Sequence, residues 1–167
     1  MNLWFTSDTH FGHENMYSKF KLEDGSPARP FSTAAEADAI MIERWNKMVK
    51  SSDHVYHLGD VAIDRKYLNI LGLLNGHKRL IRGNHDKFRT KFYLPYFEEI
   101  YGVRVLDGMI FSHVPLAREC LSTTRRKWFN VHGHTHMYKL DGPYKNICVE
   151  HTNYAPISLE EIRSSIP

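Results

Sequence analysis

The chain has 167 residues, of which 42% are hydrophobic and 25% are charged, and its formal net charge is +3. These values predict a single globular domain over residues 1–167 and argue against long disordered segments. The small positive charge permits an anionic substrate but does not require nucleic acid. No apolar run approaches the roughly 20 residues of a membrane span, and the first residues lack a signal-peptide pattern. We therefore expect a cytoplasmic protein without a membrane partner; the sequence gives no indication of its oligomeric state.

Two residue types need comment beyond these averages. Cys120 and Cys148 lack C-x-x-C spacing, and we expect both to be reduced and buried. The chain also holds 11 histidines, about three times the usual share for a domain of this size. A histidine excess of this kind suggests a site that uses imidazole groups.

The first half of the chain predicts alternating strands and helices, from its apolar runs, its helical periodicity and its Gly- and Pro-rich breaks. In order, the segments are a strand over 3–8, a loop over 18–33, a helix over 34–50, a strand over 54–60, a helix over 65–76 and a strand over 77–86 that runs into a loop. Gly76 is expected to close the second helix. This order predicts a parallel sheet built from right-handed crossovers.

The second half predicts a different pattern. Residues 103–113 form a hairpin with Asp107-Gly108 as its turn, and two further strands follow over 127–134 and 145–151. Ser158 begins a last helix as its N-cap, with Glu161 as the capping-box partner. A parallel half followed by a more antiparallel half predicts an α/β fold, a four-layer αββα sandwich of two mixed β-sheets flanked by helices.

Five polar clusters each stand where a predicted strand stops. They are Asp8-Thr9-His10, Gly59-Asp60, Gly83-Asn84-His85-Asp86, His113 and Gly133-His134-Thr135-His136. Ligands of open α/β sheets bind outside the carboxyl ends of the strands. We therefore expect the five clusters to converge on one site.

The donor set favours a pair of metal ions. D-x-H and H-x-H spacing puts both side chains on one side of an extended segment, and the neighbouring glycines allow close backbone approach. Carboxylate, amide and imidazole donors suit Mn, Fe, Zn, Co or Ni better than Mg or Ca. No thiolate occurs in the clusters, which excludes a Cys-rich structural zinc site. Each cluster alone is also compatible with a turn residue or a core histidine, but the full order favours metal binding.

The succession D-x-H, G-D, G-N-H-D, a single His and G-H-x-H resembles the calcineurin-like metallophosphoesterase superfamily over residues 8 to 136. The stretches "TSDTHFGHEN", "HVYHLGDVA" and "RGNHD" are similar to the small single-domain phosphoesterases of bacteria and phages. The resemblance implies an αββα fold and hydrolysis of a phosphoester. It also implies two divalent transition-metal ions, manganese first, with iron, zinc, nickel or cobalt as alternatives.

The resemblance further implies a division of roles. One metal is expected on Asp8, His10, Asp60 and His136, and the other on Asp60, Asn84, His113 and His134, with Asp60 bridging. His85 takes the position of the catalytic histidine, and Asp86 that of the acidic residue that orients it. His13 lies outside the shared motifs and either reaches the site or caps its loop. We expect structural or supporting roles for His57 and His132.

The expected reaction is in-line attack on phosphorus by a metal-bridging hydroxide, with His85 stabilising the phosphoryl group or protonating the leaving oxygen. A phosphodiesterase acting on a nucleotide-type or other small substrate is favoured, and a phosphomonoesterase or a nuclease is the alternative. A non-catalytic scaffold would lack ligands, and none is missing here. An amidohydrolase barrel needs about 250 residues, so the chain is too short for one.

Two basic segments are candidates for the rim of the site. Lys19, Lys21 and Arg29 belong to the loop that follows the first cluster. The segment 124–128 carries Arg125, Arg126 and Lys127, which could bind a nucleotide or polynucleotide backbone, with Trp128 as a stacking face. The alternative, which we favour, is a solvated basic stretch followed by a core tryptophan. Nucleic acid thus stays a possible substrate that the sequence does not strongly indicate.

Overall fold

Residues 1–122 and 127–166 are described by the computed structural model, and their strands form two mixed sheets. The first sheet has the order β4-β3-β2-β1-β9 and contains β1 (Leu3–Thr6), β2 (His54–His57), β3 (His77–Ile81), β4 (Glu99–Tyr101) and β9 (Ile157–Ser158). The second has the order β5-β6-β7-β8 and contains β5 (Val103–Leu106), β6 (Met109–Ser112), β7 (Phe129–His132) and β8 (Tyr144–Asn146). The predicted α/β fold with two mixed sheets is confirmed.

Strands β1 to β4 run parallel, as predicted, and β9 joins the edge of β1 antiparallel. In the register Thr6 lies opposite His57, and His57 opposite Leu80, so the carboxyl ends of the central strands are level. The polar residues that follow these strands therefore emerge along one edge of the sheet.

The expectation of a more antiparallel second half is wrong. Only β5 and β6 pair antiparallel in the second sheet, through the predicted hairpin in which Asp107 and Gly108 have φ of 52° and 74°. β6, β7 and β8 are parallel, with Ser112 opposite His132. A parallel pair requires a connection of a dozen or more residues, and more than a dozen separate Ser112 from Phe129 in the sequence. His113 and Gly133 consequently leave the second sheet at the same edge.

The two sheets enclose an apolar layer between them. Phe5 and Ile81 of the first sheet pack with Phe111 and Val131 of the second, all essentially inaccessible to solvent. The ring centroids of Phe5 and Phe111 are 4.4 Å apart in a stacked arrangement. Because this layer packs the two sheets against each other, the polar clusters at the strand ends of both sheets lie close together.

Helices complete the fold outside the sheets. They are α1 (Asn15–Ser18), α2 (Ala34–Met48) and α3 (Leu159–Ser164). Helix α2 begins at the N-cap Thr33 and buries Ala37, Met41 and Trp45, spaced by four residues, on the outer face of the first sheet. Helix α3 has the predicted Ser158–Glu161 capping box. In the described part of the chain, no helix is both long and apolar enough to cross a bilayer.

The segment predicted as a helix over 65–76 is a 3₁₀ helix, Arg65–Leu73. Leu68, Leu71 and Leu74 are buried at a spacing of three residues, which matches the three residues per turn of a 3₁₀ helix. Gly76 follows with φ of 87°, in agreement with its expected role at the end of the segment. Shorter 3₁₀ turns lie at Thr90–Phe92, Arg118–Leu121 and Val149–His151.

The two cysteines differ in exposure. Both are free thiols, as expected, and Cys148 is buried, but Cys120 is exposed. Cys120 lies on the 3₁₀ turn Arg118–Leu121, whose one buried residue is Leu121. The expectation that both cysteines are buried is therefore wrong for Cys120.

Candidate metal centre

The strand-end clusters are held in an unusual backbone conformation. Five residues predicted as metal ligands have positive φ: Asp8 (59°), His10 (49°), Asp60 (56°), His134 (68°) and His136 (46°). Residues other than glycine rarely adopt this conformation, which costs free energy and is concentrated at functional sites. The concentration of strained residues at the strand ends marks this edge of the two sheets as the candidate site.

Glycines allow the segments to approach one another closely. A Cβ at Gly133 would lie 2.0 Å from Ser7 Oγ and 2.2 Å from Asp8 Oδ2. A Cβ at Gly83 would lie 2.3 Å from Asp60 Oδ1. No side chain fits at either position, so the sequence needs glycine beside both aspartates.

Asp8, His10 and His136 form the first cluster, in which each residue offers a donor atom within 4.8 Å of the other two. The Asp8 Oδ1 atom lies 3.8 Å from His10 Nε2 and 3.9 Å from His136 Nε2. The rings of His10 and His136 stack with centroids 5.2 Å apart. Three donors thus face one small volume.

Asp60, His113 and His134 form the second cluster at the same spacing. Asn84 belongs with them, because its Oδ1 atom lies 2.8 Å from His113 Nε2 and 2.9 Å from His134 Nδ1. The seven residues predicted from the strand ends are therefore brought together in two adjacent clusters.

Asp60 lies between the two clusters. Its Oδ2 atom is 3.6 Å from His10 Nε2 and 3.5 Å from His113 Nε2. Burial would raise the pKa of Asp60, but the hydrogen bond and charge of His113 and the neighbouring His10 bring it down to about 2. Asp60 is thus a carboxylate at neutral pH that faces both groups of donors.

The donor atoms fit divalent cations. Asp8 Oδ1 and both ring nitrogens of His10 are buried without a hydrogen-bond partner, although buried polar atoms normally have one. Burial lowers the pKa of His10 well below its usual value, so the ring is neutral and offers a nitrogen lone pair. Orphaned oxygen and nitrogen donors of this mixed kind suit a transition-metal ion.

Glu150 supports the first cluster and was not predicted from the sequence. Its Oε1 atom accepts a hydrogen bond from His136 Nδ1 at 3.0 Å and another from Arg29 Nε at 2.9 Å. With Nδ1 engaged, His136 presents Nε2 to Asp8, which is the arrangement expected of a metal-binding histidine with a carboxylate partner. The tautomer of His136 is thus set by Glu150.

Arg29 lies beneath the first cluster and not at its rim, so the expected rim position is wrong. The side chain is completely buried. Its guanidinium also donates to the carbonyl oxygens of Asp8 and Thr9, at 2.5 Å and 2.9 Å. Arg29 therefore fixes the strained backbone from which Asp8 and His10 project.

The resemblance implies that Asp86 orients His85, and in the structure the Asp86 carboxylate is engaged by backbone N–H groups. Its carboxylate accepts hydrogen bonds from the backbone N–H groups of Asp60, Val61 and Gly83, at 2.9, 3.1 and 2.8 Å. It therefore ties together the two loops that follow β2 and β3. None of these three hydrogen bonds involves the His85 ring. Burial raises the pKa of Asp86.

His85 lies at the edge of the clusters. Its backbone N–H donates to Asp60 Oδ1 at 2.8 Å, and its ring centroid is 5.6 Å from that of His10. The side chain is half-buried and lines an open cleft of about 700 Å³ beside the first cluster. His13 lines the same cleft, and its ring centroid is 5.5 Å from that of His10.

His57 and His132 are buried in structural positions. The ring of His57 accepts from the backbone N–H of Gly59 at 3.1 Å and contacts Thr9 Oγ1 at 3.0 Å. The Nδ1 atom of His132 pairs with the carbonyl of Gly133 at 2.8 Å. Both rings thus hold backbone of the strand-end loops, as expected.

Of the second basic segment, Lys127 and Trp128 belong to the described residues. Arg125 and Arg126 fall outside the described residues. Lys127 precedes β7, whereas His134 follows it, so the two residues stand at opposite ends of this strand. Lys127 and Trp128 line a separate cavity with Arg163. The hypothesis that Lys127 reaches the rim of the site is therefore wrong.

The fold and the paired clusters define a metallohydrolase. The chain belongs to the calcineurin-like phosphoesterase family, which it matches over residues 1–161, and it is thus a metal-dependent phosphoester hydrolase by class. The resemblance drawn from the strand-end motifs is confirmed.

Similar proteins match most of the chain. An uncharacterized protein of Methanocaldococcus jannaschii is 34% identical over 96% of this chain and 88% of its own length. The Gene 66 protein of Mycobacterium phage D29 is 34% identical over 81% of this chain and 78% of its own length. A protein of unknown function from Aquifex aeolicus has a crystal structure that matches with a TM-score of 0.75, at 27% identity over 99% of both chains.

Proposed function

We propose that the protein is a dinuclear phosphodiesterase of one domain that acts on nucleotide-type or other small phosphodiesters. The observation that carries this proposal is the position of Asp60, whose Oδ2 atom lies 3.6 Å from a donor of the first cluster and 3.5 Å from a donor of the second. A carboxylate between two groups of imidazoles is suited to bridge two cations.

In this proposal Asp8, His10, Asp60 and His136 hold one ion, and Asp60, Asn84, His113 and His134 hold the other. Manganese is the first candidate, and iron, zinc, nickel or cobalt fit the same donors. Two divalent cations at this site would polarise phosphoryl oxygens and lower the pKa of water. Their charge outweighs that of Asp8 and Asp60, so the site attracts a phosphate group.

His85 is proposed as the catalytic group of the chain itself. Its backbone is fixed by the hydrogen bond to Asp60, and its ring projects into the cleft, where a substrate can meet it. There it donates a proton to the leaving oxygen, an effect typically worth about 10²–10⁴-fold in rate. Such help matters most for poor leaving groups such as alkoxides.

A diester is favoured over a monoester because the cleft offers room beyond the phosphate. Its volume of about 700 Å³ extends from His10, His85 and His136 to side chains of the segments 16–28 and 137–138, which lie outside the clusters. A diester carries a second substituent that can occupy this volume. Its single charge suits a cleft that, among the described residues, is lined by one lysine, Lys21.

A substrate panel tests the proposal. The Mn²⁺-loaded protein is assayed with cyclic nucleotides, dinucleotides, linear oligonucleotides, sugar phosphates and a chromogenic diester. We expect hydrolysis of the small diesters. Faster turnover of the sugar monophosphates would make it a phosphomonoesterase, faster turnover of the oligonucleotides a nuclease, and no turnover with any divalent ion a scaffold.

A matched pair of variants tests the bridging role. Asp60→Asn should lose one or both metals and nearly all activity. Asp107→Asn is the control, because Asp107 also has positive φ, which asparagine tolerates, but lies in the hairpin turn far from the site. Full metal content and activity in the Asp60 variant would contradict the bridging assignment.

A further inference from the structure

The cleft beside the first cluster has an apolar wall that the chemistry at phosphorus does not require. His10, His85 and His136 line its inner end. The wall consists of Met16, Phe20, Leu22, Met137 and Tyr138, which come from the segment after the first cluster and the segment after the last. Two segments distant in sequence therefore present apolar side chains to one volume that opens onto the candidate metal centre.

Three of these side chains are exposed to an extent that is unusual for their type, whereas Met16 is buried. Phe20 is 50%, Met137 41% and Tyr138 69% accessible. The Phe20 ring meets the ring of His13 edge to face at a centroid distance of 5.9 Å, and both residues line the cleft. Exposed aromatic and methionine side chains grouped at a concave surface are typical of a ligand-binding site.

The charges along the cleft limit what the wall can bind. Lys21 is accompanied by Glu23 and Asp24, so acidic groups outnumber basic ones there. The buried Arg29 does not alter this, because its guanidinium is engaged by Glu150 and by backbone carbonyls. A polynucleotide would bring further phosphates against the acidic groups, whereas a neutral group with polar edges would find hydrogen-bond acceptors in them.

We propose that the apolar wall, with Phe20 and Tyr138 as its stacking faces, binds the base of a compact nucleotide whose single phosphate occupies the metal centre. This inference rests on the proposed function, because it assumes a phosphate at the two clusters. A nucleobase has apolar faces and polar edges, which match the aromatic rings and the Lys21, Glu23 and Asp24 side chains. A fatty chain would cover the apolar residues but would form no hydrogen bonds with these polar side chains.

The test compares two ligands that differ only in the base. Adenosine 5′-monophosphate and ribose 5-phosphate are titrated into the Mn²⁺-loaded protein by calorimetry, with inorganic phosphate as the reference. Base stacking on an aromatic side chain corresponds to a gain of about 5- to 150-fold in affinity. We expect the nucleotide to bind more tightly than the sugar phosphate by a factor in this range.

Variants of the wall locate the gain. Phe20→Ala and Tyr138→Ala should each reduce the ratio of the dissociation constant of ribose 5-phosphate to that of adenosine 5′-monophosphate. The affinity for inorganic phosphate should stay unchanged. Phe20→Tyr should keep the ratio and Phe20→Leu should lower it, because leucine keeps apolar area without an aromatic face. Leu94→Ala is the control, since Leu94 is 57% exposed and does not line the cleft.

The outcomes separate the two proposals. Equal affinity for nucleotide and sugar phosphate, in a protein that binds inorganic phosphate and hydrolyses diesters, overturns the base-binding inference and leaves the proposed function standing. A gain of the same size for hexyl phosphate over methyl phosphate also overturns it, in favour of a general apolar surface. Failure of inorganic phosphate to bind the metal-loaded protein overturns the proposed function, and the inference with it.

Discussion

Arg29 and Glu150 form an ion pair of 2.9 Å between side chains that are 0% and 2% exposed, directly beneath the first cluster. Burial would raise the pKa of Glu150, but the hydrogen bond from His136 and the charge of Arg29 bring it down to about 2. The pair is thus ionised, and it connects the backbone at Asp8 to the ring of His136. Its position suggests that metal binding depends on residues that do not touch the metal.

Glu150→Gln should weaken Mn²⁺ binding about 10- to 100-fold, because removing a carboxylate partner frees the ring of a metal-binding histidine. Calorimetric titration of the metal-free protein with Mn²⁺ measures this directly, without any assay of activity. The matched control is Arg163→Gln, which breaks the half-exposed ion pair with Asp107. Unchanged Mn²⁺ affinity in the Glu150 variant would show that His136 is oriented by its surroundings alone.

The contact between Arg29 and Glu150 also shows where prediction from the sequence ends. D-x-H and H-x-H spacing makes Asp8, His10, His134 and His136 recognisable, because the period of an extended chain is local information. Glu150 lies 121 residues from Arg29, and no local pattern links them. A charged residue in a polar loop is normally solvent-exposed, so the burial of Arg29 is visible only in three dimensions.

The fold shows the same division between local and long-range information. The strand ends of the first sheet follow from short apolar runs, and the β5–β6 hairpin follows from Asp107-Gly108. The parallel pairing of β6 with β7 is a long-range contact, and the sequence between the two strands carries no periodic signal that predicts it. Strand β4 has three residues, none of them fully buried, so it lacks the hydrophobic pattern that predicts a strand.

Asp38 should make the stability of the protein depend on pH. Burial raises the pKa of this carboxyl to about 6, against the opposing effect of its hydrogen bond with the N–H of Gly12. The protonated form is therefore favoured in the folded state, and stability falls as pH rises from about 4 to about 6, by about 3 kcal/mol at most. Asp38→Asn should remove this part of the slope.

The measurement is the free energy of unfolding of the metal-free protein at several pH values between 4 and 7. Asp141→Asn serves as the control, since Asp141 is exposed and should leave the slope unchanged. Parallel curves for the wild type and the Asp38 variant would mean that Asp38 is ionised in the folded protein over the whole range.

Gly133→Ala should disrupt the first cluster. The new Cβ would collide with Ser7 Oγ and Asp8 Oδ2, and both atoms belong to a tightly packed segment that cannot move without shifting Asp8. We expect a loss of stability of about 1–3 kcal/mol from overpacking and weaker Mn²⁺ binding. Gly102→Ala is the control, because nothing lies within 4 Å of its Cβ position. Equal melting temperatures and Mn²⁺ affinities for the two variants would contradict the prediction.

Lys127→Ala should leave turnover of small diesters and binding of adenosine 5′-monophosphate unchanged, because Lys127 and His134 stand at opposite ends of β7. Lys21→Ala is the comparison, since Lys21 lines the cleft. We expect the Lys21 variant to bind adenosine 5′-monophosphate more weakly than the wild type. Steady-state kinetics and calorimetry with both variants decide the point. A larger effect at Lys127 than at Lys21 would require that the 127–128 segment reach the site in the working protein.

His85→Ala should keep both metals and the fold while losing turnover. The contact of this residue with Asp60 is made by its backbone N–H, so truncating the side chain leaves the Asp60 carboxylate in place. Metal content by elemental analysis and thermal unfolding should therefore match the wild type. A fall in metal content would mean that the His85 ring itself binds a metal.

The loss of turnover in His85→Ala should depend on the leaving group. An alkoxide needs a proton as it departs, whereas a nitrophenolate leaves readily without one. If His85 is the general acid, hydrolysis of an alkyl diester should slow by about 10²–10⁴-fold, or about 3–5 kcal/mol of barrier, and hydrolysis of a nitrophenyl ester distinctly less. Equal factors for the two substrates would mean that His85 acts on the phosphoryl oxygens instead, because stabilisation there is independent of the group that departs.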